Sequence, residues 1–298
     1  MIEKIFAVTT KFAHKYILPA SGGEGWMIPI YQRIQWLTMS RAAIVPGTVL
    51  AAAMQSSFLK ENTGRIERVA DMMADEENKN AYLALIKYRQ TGLKKDFPSK
   101  HYSTKKYFVK QLRLGQDEVF VDCGAFTGNT LSHFIKNRKG KYKAAIAFEP
   151  DPYSFQKLVK NHGGNPKITL INAGAYDRGG EIQFDALGSI GSKITDESNP
   201  AGKSRSIQVK SIDSLDMCGE ITFIKMDVEG AELNALKGAK ETILRNKPKL
   251  AISLYHSNED MVRLAEYIHE LVPEYKFYIG QHMLFPSCGE TVLYAVMP

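Results

Sequence analysis

Apolar residues recur with two different periods along this chain, and the change of period divides it into two parts. Up to about residue 112 the readable pattern is helical, with Ile66, Val69 and Met73 at the spacing of one buried helix face. Residues 81–90 repeat that spacing. We therefore predict a mainly helical N-terminal region, residues 1–112, that acts as a lid or a substrate platform; residues 1–62 carry no clear period.

Residues 113–298 show short apolar runs alternating with helical segments, the pattern of a mostly parallel sheet. The core strands predicted from these runs are residues 119–121, 144–148, 168–171, 221–226 and 250–254. The last two runs, 275–279 and 291–296, have no helix between them, so they must pair antiparallel. We predict an α/β fold for this part: a doubly wound sheet with a terminal antiparallel hairpin.

Two further segments receive specific predictions. Residues 182–184 and 207–209 flank a loop rich in Gly, Ser and Asp, which indicates an inserted hairpin or an edge pair. Residues 94–110 interleave lysines with aromatic side chains, a mixture that can bind nucleic acid. A solvated helix with one apolar face explains that segment more simply, so we predict such a helix and no nucleic-acid partner.

Composition narrows the class of protein without identifying it. With 44% hydrophobic and 24% charged residues the chain is typical of soluble globular proteins, and its three scattered cysteines suggest a reducing, cytoplasmic location. The net charge of +7 favours an anionic partner, but the lysines are spread through the chain and a solvated surface explains them. Apolar stretches near the N-terminus are interrupted by charges or by Pro and Gly, so we expect no stable membrane insertion.

A glycine-containing turn follows the first predicted strand and opens a helix. Gly124 and Gly128 allow a sharp turn and a close approach to a ligand, and the helix start offers free N–H groups. Their spacing is not the G-x-G-x-x-G of dinucleotide folds, so a pyrophosphate is not the expected ligand. Asp122, just before the turn, would repel a phosphate and suits an ammonium group.

Ionisable residues follow most of the predicted strands, where ligands of doubly wound sheets bind. Glu149 stands where a carboxylate can accept hydrogen bonds from both hydroxyls of a ribose; the alternative is a surface acid at the start of the helix that begins at Asp151. A ribose together with an ammonium group is the combination found in an adenosine with an amino-acid tail.

Three runs resemble the FkbM family of S-adenosylmethionine-dependent methyltransferases. They are VFVDCGAFTGNT (119–130), FEPDP (148–152) and IKMDVEGAEL (224–233), and the similarity extends over roughly residues 65–298. The resemblance implies a class I methyltransferase (Rossmann-like) fold and O-methylation of a small molecule, sugar or glycan. It also implies that Glu149 holds the ribose, that Gly174 and Ala175 border the adenine, and that Asp177 contacts its amino group. The cofactor-binding residues expected on this basis are Asp122, Gly124, Ala125, Phe126, Gly128, Asn129, Thr130, Glu149, Pro150, Gly174, Ala175 and Asp177.

Three residues at strand ends are the candidate catalytic groups. We predict that His256, with an ordinary pKa of about 6.5, is the general base; the alternative is a positioning or structural histidine. Asp227 and Glu229 can face one side and could bind Mg²⁺ that holds a substrate diol. Alternatively, Asp227 orients the acceptor hydroxyl and Glu229 caps the next helix, which is the more ordinary role, so no metal ligand is assigned.

The sequence thus favours an S-adenosylmethionine-dependent O-methyltransferase. One alternative is a nucleotide-dependent oxidoreductase, which the glycine spacing and Asp122 disfavour. A second is a non-catalytic binding protein on the same fold. Assembly into a homo-oligomer is compatible with the sequence, and the identity of the acceptor stays open.

Overall fold

The computed structural model describes residues 57–98, 102–185, 193–194, 204–283 and 289–298. Predictions that concern residues 1–56 lie outside these ranges. The helices are α1 (Thr63–Asp71), α2 (Glu76–Thr91), α3 (Asn129–Asn137), α4 (Pro152–His162), α5 (Glu232–Lys237), α6 (Lys240–Asn246) and α7 (Asp260–Leu271). The strands are β1 (Val119–Cys123), β2 (Ala144–Phe148), β3 (Ile168–Ile171), β4 (Gly174–Ala175), β5 (Gly180–Asp185), β6 (Lys193–Ile194), β7 (Ser204–Lys210), β8 (Phe223–Met226), β9 (Lys249–Ser253), β10 (Lys276–Gln281) and β11 (Thr291–Val296).

Seven strands form the central sheet, in the order β10-β11-β9-β8-β1-β2-β3. The five strands from β9 to β3 are parallel to one another, and β11 runs antiparallel to both of its neighbours. The predicted doubly wound sheet with a terminal antiparallel hairpin is confirmed. The position of β11 between β9 and β10 was not predicted, because an antiparallel hairpin by itself does not specify which of its two strands pairs with β9.

Helices cover both faces of this sheet. On one face, α1, α2, α5, α6 and α7 pack into a single apolar cluster, and Tyr82 of α2 donates a hydrogen bond to the Met261 carbonyl at 3.1 Å. On the other face, α3 and α4 cover Phe120 and Phe223, whose ring centroids are 4.7 Å apart. The helices predicted around Ile66 and in residues 81–90 are therefore present, and they belong to the main core; the boundary at residue 112 stays a prediction.

A second, four-stranded sheet has the order β4-β7-β5-β6. Its strands β5 and β7 pair antiparallel, as the predicted inserted hairpin requires. Among the helices of the described ranges, none is both long and apolar enough to cross a membrane.

The helix predicted over residues 94–110 is wrong. The described part of this segment contains only short 3₁₀ turns at Lys94–Asp96 and Lys110–Leu112. Its backbone groups bond elsewhere: Tyr102 forms a bridge with Gln281, and the Ser103 N–H donates to the Gln281 carbonyl at 2.9 Å. Pairing with β10 replaces the intrahelical hydrogen bonds, which the local pattern of aromatic residues and lysines does not indicate.

Gly238 tests how closely the loop after β4 packs on α5. A Cβ at this position would lie 1.9 Å from the Tyr176 carbonyl oxygen, a backbone atom that cannot turn aside. We expect Gly238→Ala to lower the free energy of unfolding by about 2–3 kcal/mol, measured by denaturant titration.

Gly164→Ala is the matched control, because a Cβ at Gly164 would meet no atom within 4 Å. Its effect should stay below about 0.5 kcal/mol. Equal effects of the two substitutions would show that the close approach at Gly238 is absent.

Candidate active site

The carboxyl ends of β1, β2, β8 and β9 meet at one edge of the sheet, and the candidate residues follow them. Gly124 shows why this edge needs a glycine. Its φ is +78°, and a Cβ there would lie 1.9 Å from the Asp227 carbonyl oxygen, so the ends of β1 and β8 can approach only without a side chain. The N–H groups of Gly124 and Ala125 both donate to the Phe148 carbonyl, which joins the turn to β2.

The second half of the turn is fixed by α4. Gly128 has a φ of +92°, and a Cβ there would lie 2.5 Å from the ring of His162. The His162 Nε2 is 3.1 Å from both the Gly128 carbonyl oxygen and the Ser132 hydroxyl, and Asn161 donates to the Thr127 carbonyl at 2.9 Å. His162, which has no evident role in the sequence, therefore helps to hold the glycine turn. Asn129 and Thr130 open α3 directly behind it.

Glu149 is buried beside this turn. One carboxylate oxygen accepts a hydrogen bond from the Phe126 N–H at 2.7 Å and the other from the Asp151 N–H at 2.9 Å. Burial raises the pKa of Glu149, and these two N–H donors oppose the rise. Asp151 itself caps α4 through the Ser154 N–H at 2.8 Å. Because each carboxylate oxygen has two lone pairs, Glu149 can still accept two further hydrogen bonds.

Asp122 lies inside β1 and pairs with a lysine of the neighbouring strand. The Lys225 ammonium is 2.9 Å from Asp122 Oδ1, and both side chains are almost fully buried. Lys225 also donates to the carbonyls of Cys123 and Gly124, at 3.1 and 2.8 Å. Burial alone would lower the pKa of Lys225, but Asp122 and Asp227 outweigh it and raise that pKa. Lys225 is thus an internal ammonium partner of Asp122, and contact between Asp122 and a cofactor stays a prediction.

Two phenols and one ammonium group surround the Asp227 carboxylate, and we call this arrangement the cage. Tyr255 donates to Oδ1 and Tyr107 to Oδ2, each at 2.7 Å, and the Lys106 ammonium is 3.4 Å from Oδ2. Burial would raise the pKa of Asp227, but Lys225, Lys106 and the two phenols outweigh it and hold that pKa below its ordinary value. The Asp227 carboxylate is therefore ionised at neutral pH.

His256 is buried among three carboxylates. Its Nε2 is 3.4 Å from Glu229 and 3.5 Å from Asp227, and its Nδ1 is 3.0 Å from Glu232. Burial would lower the pKa of His256, but these carboxylates outweigh it and raise the pKa to about 10. An imidazole that is protonated at neutral pH cannot accept a proton, so these surroundings favour the positioning role over that of general base.

Glu229 does not cap the following helix, contrary to the more ordinary alternative. No side chain caps α5, and Glu232 instead binds the loop before it, because its two carboxylate oxygens accept from the Val228 N–H at 2.8 Å and the Gly230 N–H at 3.0 Å. Glu229 adopts a φ of +56°, which is unusual for a residue with a side chain, and its carboxylate stays about one-third exposed.

A divalent cation fits this arrangement poorly. Asp227, Glu232 and His256 each bring one ligand atom within 4.8 Å of the others. However, the Asp227 oxygens accept from phenols and the Glu232 oxygens from backbone N–H groups. Positive charge is already supplied by Lys106 and His256. The possibility that Asp227 and Glu229 bind Mg²⁺ is therefore not supported.

Residues outside the predicted set complete the cage. His282 is buried, and its pKa is lowered to about 4 by that burial. Its Nδ1 donates to the Ser103 carbonyl and its Nε2 accepts from the Tyr294 hydroxyl, both at 2.8 Å. That hydroxyl in turn accepts from the Tyr107 N–H at 3.0 Å. His282 and Tyr294 thus hold residues 103–107 in the position from which Tyr107 reaches the carboxylate.

The available sequence signal for these residues was weak. Lys225 and Asp122 are single charges in two apolar strands, a pattern that indicates a buried pair once the strands are known to be neighbours. Lys106 and Tyr107 stand in a stretch that resembles an ordinary solvated segment.

The described contacts bring together only some of the residues that we predict to border the adenine. A Cβ at Gly174 would lie 3.9 Å from the Pro150 side chain, so β4 does adjoin the residue after Glu149. Asp177 lies 3.1 Å from Arg178, its neighbour in sequence. The roles of Gly174, Ala175 and Asp177 towards a cofactor stay predictions.

Comparisons with known proteins agree on one family. The sequence profile described as Methyltransferase FkbM domain matches residues 122–278. The crystal structure of Methyltransferase FkbM from Methylobacillus flagellatus KT superposes with a TM-score of 0.66 at 29% sequence identity, covering 79% of this chain and 59% of that one.

Two curated proteins are also similar. The chain is 28% identical over 153 residues to the 2-O-methyltransferase NoeI of Sinorhizobium fredii, covering 44% of this chain and 61% of that protein. It is 34% identical over 127 residues to the hexuronic acid methyltransferase AglP of Haloferax volcanii, covering 41% of this chain and 50% of that protein. The matched regions therefore span about half to three-fifths of these relatives.

The raised pKa of His256 predicts how the stability depends on pH. A folded pKa near 10 against about 6.5 in the unfolded chain means that this histidine stabilises the fold fully below about pH 6.5 and loses that effect as the pH rises towards 10. We expect the stability advantage of the parent over His256→Gln to shrink by about 3–5 kcal/mol between about pH 6 and pH 10, in urea titrations.

His133→Gln serves as the control, because His133 is exposed on α3. It shows what the loss of an exposed histidine does over the same pH range. A constant difference for His256→Gln would mean that the three carboxylates do not hold a proton on His256.

Proposed function

Because the chain belongs to the FkbM methyltransferase family, we propose that it transfers the methyl group of S-adenosylmethionine to a hydroxyl group of a sugar or glycan. The observation that carries this proposal is the position of Glu149. Its carboxylate is buried beside the turn from Gly124 to Gly128 and accepts one backbone N–H on each oxygen. Two oxygens fixed in this way can receive the two hydroxyls of a ribose.

A sugar acceptor is supported by the names of two relatives. One is a 2-O-methyltransferase and the other a hexuronic acid methyltransferase. The rim of the cage around Asp227, which includes Lys106 and Glu229, offers the polar groups that hold hydroxyls.

The bound cofactor would supply an electrophilic methyl group on a positively charged sulfur. The residues that would hold it are the glycine turn, Glu149 and, through the unpartnered Oδ2, Asp122. Carboxylates suit this ligand, since both its sulfonium and its ammonium are cationic.

On the acceptor side we assign the proton to Glu229. The Asp227 oxygens are engaged by phenols and His256 is protonated, whereas Glu229 is partly exposed and contacts His256 through Oε2 alone. As the acceptor oxygen bonds to the methyl carbon and the carbon–sulfur bond breaks, its proton would pass to the Glu229 carboxylate. The imidazolium would keep that carboxylate in position.

Calorimetric titration with S-adenosylhomocysteine and, separately, with NAD tests the proposed cofactor. Micromolar binding of S-adenosylhomocysteine alone supports the proposal. Binding of NAD instead would favour the oxidoreductase alternative. Tight cofactor binding without transfer of labelled methyl to any glycan in a broad acceptor panel would favour a non-catalytic role.

We expect Glu149→Ala to weaken S-adenosylhomocysteine binding at least about tenfold, because a charged contact to two hydroxyls is lost. Calorimetry would measure the change. Glu241→Ala, an exposed acid in α6, is the control and should leave the affinity unchanged. A change below about twofold for Glu149→Ala would remove the ribose assignment.

We expect Glu229→Gln to lower kcat for methyl transfer by about 10²–10⁴, because the amide cannot take the proton, while S-adenosylhomocysteine affinity stays within about twofold. His256→Gln should lower kcat less. Steady-state rates with labelled cofactor would show this, and an unchanged kcat in Glu229→Gln would exclude Glu229 as the proton acceptor.

A further inference from the structure

One segment of this chain contains almost no acidic residues. Residues 123–176 contain eight Lys or Arg and only two acidic residues, a net charge of +6, whereas the whole chain carries +7. The two acids, Glu149 and Asp151, bond to backbone N–H groups at the glycine turn and the start of α4. Lysines occur along the whole chain, as expected, and this segment differs from the rest by its small number of acidic residues.

This segment runs from the end of β1 to β4, and its helices α3 and α4 lie on one face of the central sheet. All seven of its lysines are exposed, and the six that form no ion pair lie on the two helices and in the turns that follow them, a surface that we call the basic face. Its members are Lys136, Lys139, Lys141, Lys157, Lys160 and Lys167. Within the described ranges, none of the six forms an ion pair with a carboxylate, whereas Lys143 nearby pairs with Glu220.

The two turns of the basic face are joined by direct contacts. Lys167 donates to the Tyr142 carbonyl at 3.1 Å, and Asn165 donates to the Tyr142 hydroxyl at 2.9 Å. The turn after α4 thus lies against the turn after α3, beside Lys141. Within a helix, residues spaced by three or four positions share one side, so Lys157 and Lys160 form a stripe along α4.

Large apolar side chains are exposed on the same helix. Tyr153 is 66% and Val159 43% exposed, and the Lys157 ammonium lies 4.3 Å from the centroid of the Tyr153 ring. Phosphate groups of a nucleic acid would bind the lysines but would leave this apolar surface in water. The boundary between lipid headgroups and acyl chains accommodates both, because aromatic rings sit there while lysines reach the headgroups.

We propose that the basic face docks the protein on the surface of an anionic lipid bilayer. The six lysines would approach the negatively charged headgroups, and Tyr153 and Val159 would enter the interface. The attachment is peripheral and reversible, since it rests on exposed side chains of folded helices. It does not depend on the methyltransferase reaction proposed above.

Co-sedimentation of the full chain with vesicles tests this docking. Binding should be strong to phosphatidylcholine vesicles containing about 30% phosphatidylglycerol, weak to phosphatidylcholine alone, and lost as salt rises from about 0.05 to 0.5 M. The triple variant Lys136→Glu, Lys139→Glu, Lys141→Glu should lower the partition constant at least about tenfold. Tyr153→Ser should lower it by about threefold while leaving the salt dependence unchanged.

The matched control is Lys237→Glu, Lys240→Glu, Arg245→Glu, which changes the net charge equally on exposed residues of α5 and α6, across the sheet. It should keep most of the binding. An equal loss in this control would overturn the proposal, as would equal binding to neutral vesicles or binding to an RNA oligonucleotide but to neither kind of vesicle. If circular dichroism shows that the triple variant does not fold, the dependence of parent binding on lipid charge and on salt tests the proposal instead.

Discussion

The pairing of Lys225 with Asp122 in the dry centre of the sheet is the interaction on which this site depends. One ammonium group there serves a carboxylate and the carbonyls of Cys123 and Gly124, where β1 ends. Removing one partner of such a pair leaves an uncompensated buried charge, which costs about 3–5 kcal/mol. The pair therefore constrains the geometry at the point where the glycine turn begins, and Gly124 can then approach the Asp227 backbone.

At the adjoining strand ends, too, buried groups stay charged because neighbouring groups of opposite charge compensate for burial. Asp227 remains ionised because two phenols, Lys106 and Lys225 face it. The negative charge collected by Asp227, Glu229 and Glu232 is in turn partly offset by protonated His256. The site therefore holds fixed charges of both signs close together, and such preorganised groups stabilise developing charge without moving. Only Glu229, on a left-handed backbone, keeps a carboxylate facing outward.

Several residues of the cage lie outside the region matched by the family profile. Lys106 and Tyr107 precede residue 122, while His282, Glu290 and Tyr294 follow residue 278. Lys106 contacts both Asp227 and Glu290, so it joins the two flanking segments across the site. The shared region thus supplies the glycine turn, Glu149 and Asp227, and the flanking segments supply the side chains that surround the Asp227 carboxylate.

The sequence by itself determined the order of strands and helices, the glycine turn, the residues at the strand ends and the family resemblance, because these are encoded in local periodicity and in short runs. It misassigned residues 94–110 because the N–H groups of Ser103 and Tyr107 bond to Gln281 of β10 and Tyr294 of β11, almost two hundred positions away. It likewise could not show that His256 is surrounded by carboxylates, that Glu232 binds the loop before α5, or that six lysines share one face. Protonation, capping and surface charge depend on distances between side chains, and only the tertiary structure brings those side chains together.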